Sequence, residues 1–141
     1  MPWLLDTNGW IHFLKPHQPG GRAIAQRLAQ CDEAEILLCS VVKAELWHGA
    51  EKYENREARL GKLAEIFARY HSFPFDDAAA RHYAGIRHHL ESGGQTIGPN
   101  DLQIAATCRA NDLTLVTTNT SEFGRVPDLK LEDWTQPLAT S

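Results

Sequence analysis

Three acidic residues far apart along the chain share a setting that suits chemistry. Asp6 lies in WLLDTNGWI, where the apolar Trp3, Leu4 and Leu5 run straight into a carboxylate. Glu45 lies in VKAELWHG, just behind the apolar stretch ILLCSVV, and Asp101 lies in TIGPNDLQIAA, behind Pro99. A carboxylate at the end of a buried strand needs a capping role, a counter-ion or a metal. Were three such groups to meet in one cleft they would repel, and at least one would hold its proton more tightly than usual. A divalent cation removes that conflict. Mg2+ and Mn2+ take oxygen ligands, and Mg2+ keeps several of its waters, so a site of few carboxylates leaves room for a phosphate oxygen and an attacking water. Such an ion lowers the pKa of the water and neutralises charge developing on a phosphoryl group, which phosphodiester hydrolysis requires.

Each acid also has a purely structural use. Asp6 or Asn8 suits the cap of a short helix starting at Gly9, because Asx side chains are preferred there. Glu45 and Asp101, each expected in a first helical turn, would favour the helix dipole by about 0.3–1 kcal/mol. Whether the acids converge depends on the elements that carry them.

Those elements alternate. Trp3 to Leu5 reads as a strand, and residues 22–31 as a helix behind the flexible Pro19-Gly20-Gly21. Residues 36–42 form a continuous, partly β-branched apolar run, as expected of a strand covered on both faces. Residues 43–70 are helical in pattern, with Leu46, Tyr53, Leu60 and Phe67 every seven residues, Ala50, Leu63 and Tyr70 filling the same stripe, and Asn55 as a break into a hairpin. Lys52, Arg56, Arg59 and Lys62 lie off that stripe, on a face suited to solvent or to nucleic acid. Phe73-Pro74-Phe75 forces an extended piece. Asp76 or Asp77 can cap the next helix, which runs to about Leu90 and stops at Gly93-Gly94. Pro99 suits the first position of another helix, over residues 101–110. Residues 113–117, LTLVT, form a buried strand, and residues 129–131 a last short one before Trp134.

Strand and helix in this order predict a three-layer α/β domain with a central, mainly parallel sheet flanked by helices. The loops at the carboxyl ends of its strands gather on one edge, where such folds bind ligands. Asp6 belongs to that edge, and Glu45 and Asp101 join it if the crossovers are regular.

With 141 residues the chain is expected to be one domain over residues 1–141, structured over about 3–134, with a short polar tail. Burial of about 70% of the unfolded surface is within its reach, so no staples are required. Cys31, Cys39 and Cys108 have neither the spacing nor the number for a zinc site or disulfide framework, and read as free thiols in a reducing compartment. No signal segment or membrane-spanning run is apparent, so a soluble, cytoplasmic protein without a membrane partner is expected. The net charge of −4 means that an RNA or DNA substrate needs a local basic surface, or a metal that offsets the acids.

Taken in order, LLDTNGWI, VVKAELWHGA, IGPNDLQIAA and LTLVTTNTSEFGRVPDLKLEDW resemble the PIN-domain ribonucleases, and above all the VapC-type toxins of bacterial toxin–antitoxin pairs. The resemblance covers Leu4 to Trp134. It implies a PIN-like fold, an Mg2+- or Mn2+-dependent endoribonuclease (transfer RNA being one candidate substrate), a homodimer, and silencing by a cognate VapB-type antitoxin. It implies Asp6 and Asp101 as principal metal ligands, with Glu45 completing the cluster directly or through a water. Asn8 and Thr117 would then orient those carboxylates by hydrogen bonding. The pattern departs at Asn119, where many PIN domains carry a further acid; Asn119 contributes no charge, but Glu122 reaches back if Asn119 begins a helical turn. The implied reaction is in-line attack of an activated water on an RNA phosphate, leaving 5′-phosphate and 3′-hydroxyl ends, with no Ser-His or Cys-His pattern to argue for a covalent route. Trp10, Trp47 and Trp134 are candidate anchors for self-association or antitoxin docking, burial in the core being the competing use.

A non-catalytic α/β module that holds RNA or protein is separated from the enzyme by metal-dependent cleavage. Glu45-Leu46-Trp47-His48 matches a di-metal Glu-x-x-His pattern, but a second copy and a four-helix bundle are wanting. A receiver-like domain would need a lysine after its later strand, and LTLVTTN ends without one.

Overall fold

The computed structural model describes residues 2–136. The polar tail expected at the carboxyl end falls largely beyond Gln136, outside the described residues. The chain forms an α/β fold in the order β1 (Trp3–Leu5), α1 (Thr7–Phe13), α2 (Pro19–Gln30), a 3-10 turn (Glu33–Glu35), β2 (Ile36–Cys39), α3 (Ser40–Glu51), α4 (Arg56–Arg69), β3 (His71–Phe73), α5 (Asp77–Ser92), α6 (Pro99–Ala110), β4 (Thr114–Val116), α7 (Thr120–Phe123) and β5 (Leu131–Glu132). The five strands make one sheet in the order β3-β2-β1-β4-β5, and every pairing is parallel.

The central strands are short because three or four apolar residues suffice to cross a covered sheet. Leu4 stands between Leu37 and Leu115 in register, and all three are buried. The helices fold over both faces of the sheet, and their buried residues Ile24, Val42, Ile86, Ile104 and Phe123 complete the core. The order in which strands are added reverses between β1 and β4: the chain first moves outward through β2 and β3, then returns to the other side of β1. A crevice opens outside the carboxyl ends of strands at such a switch point.

The far edge is held by a second polar cluster. Glu132 on β5 accepts from the Trp3 indole at 2.9 Å, from the Trp134 indole at 3.2 Å and from Arg27 of α2 at 3.2 Å. The guanidinium of Arg27 also lies 4.8 Å from the Trp134 ring centre, and Trp3 packs edge-on to Trp134 at 5.5 Å. A two-residue strand is thereby tied to the first strand and to a helix.

Several expectations need correcting. Residues 36–42 are not one strand: β2 ends at Cys39, and Ser40 already opens α3. Val42 is fully buried in a helix as it would be in a strand, and a short apolar run does not tell the two apart by periodicity. The expected helical stripe loses one member: Tyr53 lies in the turn after α3 and is 51% exposed, whereas Leu46, Ala50, Leu63 and Tyr70 are buried, together with Ile66, and Leu60 and Phe67 pack against them. Asn55 does mark the break, as the N-cap of α4. A strand not singled out beforehand, β3, spans His71–Phe73 and leads into the extended Phe-Pro-Phe piece, and the last strand falls at Leu131–Glu132 rather than 129–131, behind the left-handed residue Asp128. Trp10 and Trp134 are 0% and 1% exposed, so neither anchors a partner; Trp47, at 45%, remains available. The three cysteines are free, with Cys39 and Cys108 buried. Among the described residues no helix is long and apolar enough to cross a membrane.

The start of α2 runs so close to the end of α1 that Gly21 leaves no room for a side chain. A Cβ there would stand 2.2 Å from the His12 carbonyl and 2.3 Å from that of Lys15, both backbone atoms that cannot swing aside. Gly85, inside α5, meets nothing within 4 Å. Denaturant unfolding should therefore show Gly21→Ala destabilised by about 1–3 kcal/mol, and Gly85→Ala stabilised by about 0.5–1 kcal/mol.

Candidate active site

Asp6 follows the last residue of β1 and is 4% exposed. Its amide donates to the Val116 carbonyl at 3.0 Å, continuing the β1–β4 pairing one residue beyond the strand. Its carboxylate caps α1, with Oδ1 accepting from the Gly9 amide at 2.8 Å. The capping use expected of Asp6 is therefore realised, in a buried position. Thr117, just past β4 and itself buried, hydrogen-bonds Asp6 through its side chain. Its hydroxyl oxygen also accepts from the Asn119 amide at 2.9 Å. The switch point thus sets a carboxylate and its hydroxyl partner side by side.

Glu45 and Asp101 arrive from two helices. Asp101 lies in the first turn of α6, where Pro99 occupies a first-turn position. Glu45 does not lie in the first turn of α3, because that helix begins earlier than expected, at Ser40. The helix-dipole use of Glu45 is therefore lost. Its carboxylate is held instead by two side chains that the sequence reading did not single out. Thr7 donates its hydroxyl proton to Oε1 at 2.5 Å, and the Asn100 amide donates to Oε2 at 3.4 Å. The only signal for either was its position next to an expected ligand, in the dipeptides Asp6-Thr7 and Asn100-Asp101.

Asn119 begins a helical turn, as the N-cap of α7. Its amide nitrogen donates to Glu122 Oε2 at 3.1 Å, which turns the Glu122 carboxylate back toward the cluster. Asn8 is exposed and forms no hydrogen bond with the acids among the described residues. His48, His88 and His89 are exposed on their helices.

The electrostatics show which groups share a neighbourhood. Burial raises the pKa of Asp6, the Thr117 and Gly9 hydrogen bonds oppose the rise, the charge of Glu45 adds to it, and the charge of His12 opposes it. Asp101 is pushed up to about 6, first by burial and then by the charges of Glu45, Asp6 and Glu122. Every influence on Asp101 acts in the same direction. Among the described residues no lysine or arginine forms an ion pair with any of these four acids. They share one field but not one closed ligand cage: among the described residues no three of His, Cys, Asp or Glu are grouped tightly enough to hold a metal ion.

Comparison with known proteins places the chain in a family. The PIN domain family model matches residues 3–129. Ribonuclease VapC2 of Rickettsia felis is 35% identical over 134 residues, covering 95% of this chain and 98% of that protein. The tRNA(fMet)-specific endonuclease VapC of Shigella flexneri is 35% identical with the same coverage. Among solved structures, DNA-bound VapBC from Salmonella typhimurium superimposes with a TM-score of 0.87 at 31% identity, covering 95% of this chain and 98% of that one. VapBC2 from Rickettsia felis, bound to a promoter DNA fragment, gives 0.83 at 34% identity, covering 95% and 99%. The chain belongs to the PIN-domain family and, within it, to the VapC-type toxins of toxin–antitoxin systems.

The raised pKa of Asp101 fixes a sign for stability. A carboxyl whose folded pKa lies above its unfolded value favours the folded state when protonated, and that contribution is lost as pH rises through the folded pKa. For Asp101 the window runs from 3.8 to about 6. In chelator, then, the protein should lose stability as pH rises across that window. Asp101→Asn should flatten the loss, leaving a remainder of the same sign from Asp6; equilibrium unfolding at stepped pH measures both.

Proposed function

We propose that this chain is a divalent-metal-dependent endoribonuclease whose acid cluster cuts RNA phosphodiester bonds and is silenced by a cognate VapB-type antitoxin. The observation that carries the proposal is the crowding of Asp6, Glu45 and Glu122 around Asp101, which feels only negative charge, while the one positive influence on Asp6 or Asp101 among the described residues is that of His12 on Asp6. Families of this kind include ribonucleases by name, such as the Rickettsia and Shigella relatives, but the metal and the roles below are readings of this chain's own side chains.

The donor set fits a hard cation. All four acids offer oxygen, and the hydroxyls and amides around them bind oxygen rather than compete for a metal. Asp6 and Asp101 would hold Mg2+ or Mn2+, with Glu45 completing the cluster directly or through a water. When bound, the ion supplies charge neutralisation at the phosphate and lowers the pKa of water. The protein supplies the geometry. Thr117 and the Gly9 amide fix Asp6, Thr7 and Asn100 fix Glu45, and Asn119 turns Glu122 inward. Such hydrogen-bonding partners orient ligands and are worth roughly 10–100-fold in activity or metal affinity. Glu122, held by Asn119, supplies beside it the charge that Asn119 lacks.

Two partner surfaces follow from this reading. An antitoxin tail competes with RNA by placing a basic side chain among the acids, in keeping with relatives solved as VapBC complexes. Self-association uses the outer face of α3 and α4, where the exposed Trp47 packs edge-on to Phe67 at 5.2 Å. Transfer RNA is the first substrate to try, because the Shigella relative is named for one.

Purified protein should cleave bulk transfer RNA with Mg2+ or Mn2+, stop on addition of chelator and resume when metal is restored. A protein that binds RNA without cutting it under these conditions is the non-catalytic module instead. Asp6→Asn and Asp101→Asn should each lose more activity than Thr117→Val, whose loss should be roughly 10–100-fold. Asn retains the capping oxygen at position 6, so the circular dichroism of Asp6→Asn should match the parent; cleavage by either Asn variant at parental rate would falsify the site.

A further inference from the structure

A groove of about 430 Å³ runs between α1, α3 and α4, and Glu45 is part of its wall as well as of the acid cluster. The groove and the cluster are therefore continuous. Its floor is apolar, built from residues such as Leu46, Ala50 and Leu63, and its rim carries Lys15, Arg59 and Lys62. In a chain of net charge −4 this is a local reversal of sign.

The rim cations are not all alike. Lys62 stands 3.7 Å from Glu65. Arg56, just outside the groove, is taken up by Glu51 and Glu57. Among the described residues Lys15 and Arg59 have no carboxylate partner. Arg59 is nevertheless held in place: its guanidinium lies 3.7 Å from the centre of the Tyr53 ring, and its Nε donates to Asn55 Oδ1 at 2.9 Å. Its two terminal nitrogens have no hydrogen-bond partner among the described residues. Tyr53, 51% exposed, spends much of its ring on solvent while one part holds the guanidinium.

Planar, pre-oriented arginine donors match a phosphate, and an open aromatic or guanidinium face matches an unstacked base. Alternating cation and ring above an apolar floor is how single-stranded nucleic acid is tracked. Resting on the RNA-cleaving reading above, we infer that this groove is the path by which the substrate strand reaches the acid cluster, with Arg59 and Lys15 contacting its phosphates and Tyr53 stacking on a base. An acidic peptide would meet the same cations, but its carboxylates would then run into Glu45; a peptide that brings a basic side chain to the acids is the competing occupant. RNA satisfies rim and floor together.

The test measures RNA binding without cleavage, using full-length Asp101→Asn and, in parallel, wild type in chelator. The probes are bulk transfer RNA and a short single-stranded oligouridylate, each titrated over a salt series. Adding Arg59→Ala or Lys15→Ala should weaken binding at least about fivefold and lower the slope of log affinity against log salt by about 1, the mark of one lost phosphate contact. Tyr53→Ala should weaken oligouridylate binding by at least about fivefold, the lower end for a lost base stack. Arg87→Ala, on α5 and outside the groove, should change neither. If the parent binds RNA and the Arg59 and Lys15 variants keep its affinity and slope, the strand takes another route and the inference falls while the RNA-cleaving reading stands. If those variants spare RNA but weaken neutralisation by a co-purified antitoxin, the groove is a protein seat and the inference falls equally. Absence of both RNA binding by the parent and RNA cleavage by wild type removes the functional reading and this inference with it.

Discussion

The structure depends on a carboxylate kept where a carboxylate is costly. Asp6 ends a strand whose preceding two residues are fully buried, and it is itself 4% exposed. An unpaired charge in such a place would bind a proton or force a rearrangement. It is retained because the Gly9 amide and the Thr117 side chain replace part of its lost water. The same bond to Gly9 starts α1, and the first residue of that helix, Thr7, holds Glu45. Glu45 in turn acts on Asp101. One capping interaction therefore sets the position of a hydroxyl, a second acid and the charge state of a third. Removing the Asp6 oxygen altogether would cost about 1 kcal/mol for the cap, while its wider cost is the order it imposes on the cluster.

Glu132 shows that burial alone does not decide the outcome. Burial tends to raise its pKa too, yet the Trp3 and Trp134 indoles and the Arg27 guanidinium bring it below the ordinary glutamate value. Asp101 experiences burial with only negative neighbours, and its pKa rises to about 6. Both acids lie at the rim of one small sheet. The first is surrounded by donors and serves as a tie between β5, β1 and α2; the second is surrounded by acceptors and remains in need of positive charge. That contrast separates a structural acid from a chemical one.

How far this was legible in the sequence follows from range. The strand at Trp3, the break at Asn55, the cap at Asp76 and the start of α6 at Pro99 were readable because turn chemistry and capping act within a few residues. The parallel sheet was readable from alternation. The end of β2 was not, because Ser40, Val41 and Val42 continue an apolar run that suits either a covered strand or a buried helical turn. That single slip moved Glu45 from a first turn to a second and hid its true holders. Thr7 and Asn100 are separated from Glu45 by 38 and 55 residues, and only the packed fold brings them together. The burial of Trp10 and Trp134 was invisible for the same reason: composition favours aromatics at interfaces, but tertiary packing decides which ones stay outside.

The cluster and the groove answer one electrostatic problem. On the proposed function, acids crowded together to attract a cation would also repel the polyanion they are to cut, and a net negative chain offers no general attraction to overcome that repulsion. Within about 10 Å at ordinary salt, however, local charge outweighs net charge, since more distant charges are screened. A path lined by Lys15 and Arg59 can therefore hold phosphates although the whole molecule is acidic, provided that those cations are not already spent on carboxylates. Arg56 and Arg69 are spent, on Glu51 and Glu57 in one case and Glu33 in the other. Arg59 is stacked instead on a ring, which holds its plane without neutralising its charge. The same openness makes the path available to any partner that brings its own cation to the acids, so substrate entry and silencing must compete for the space around Glu45.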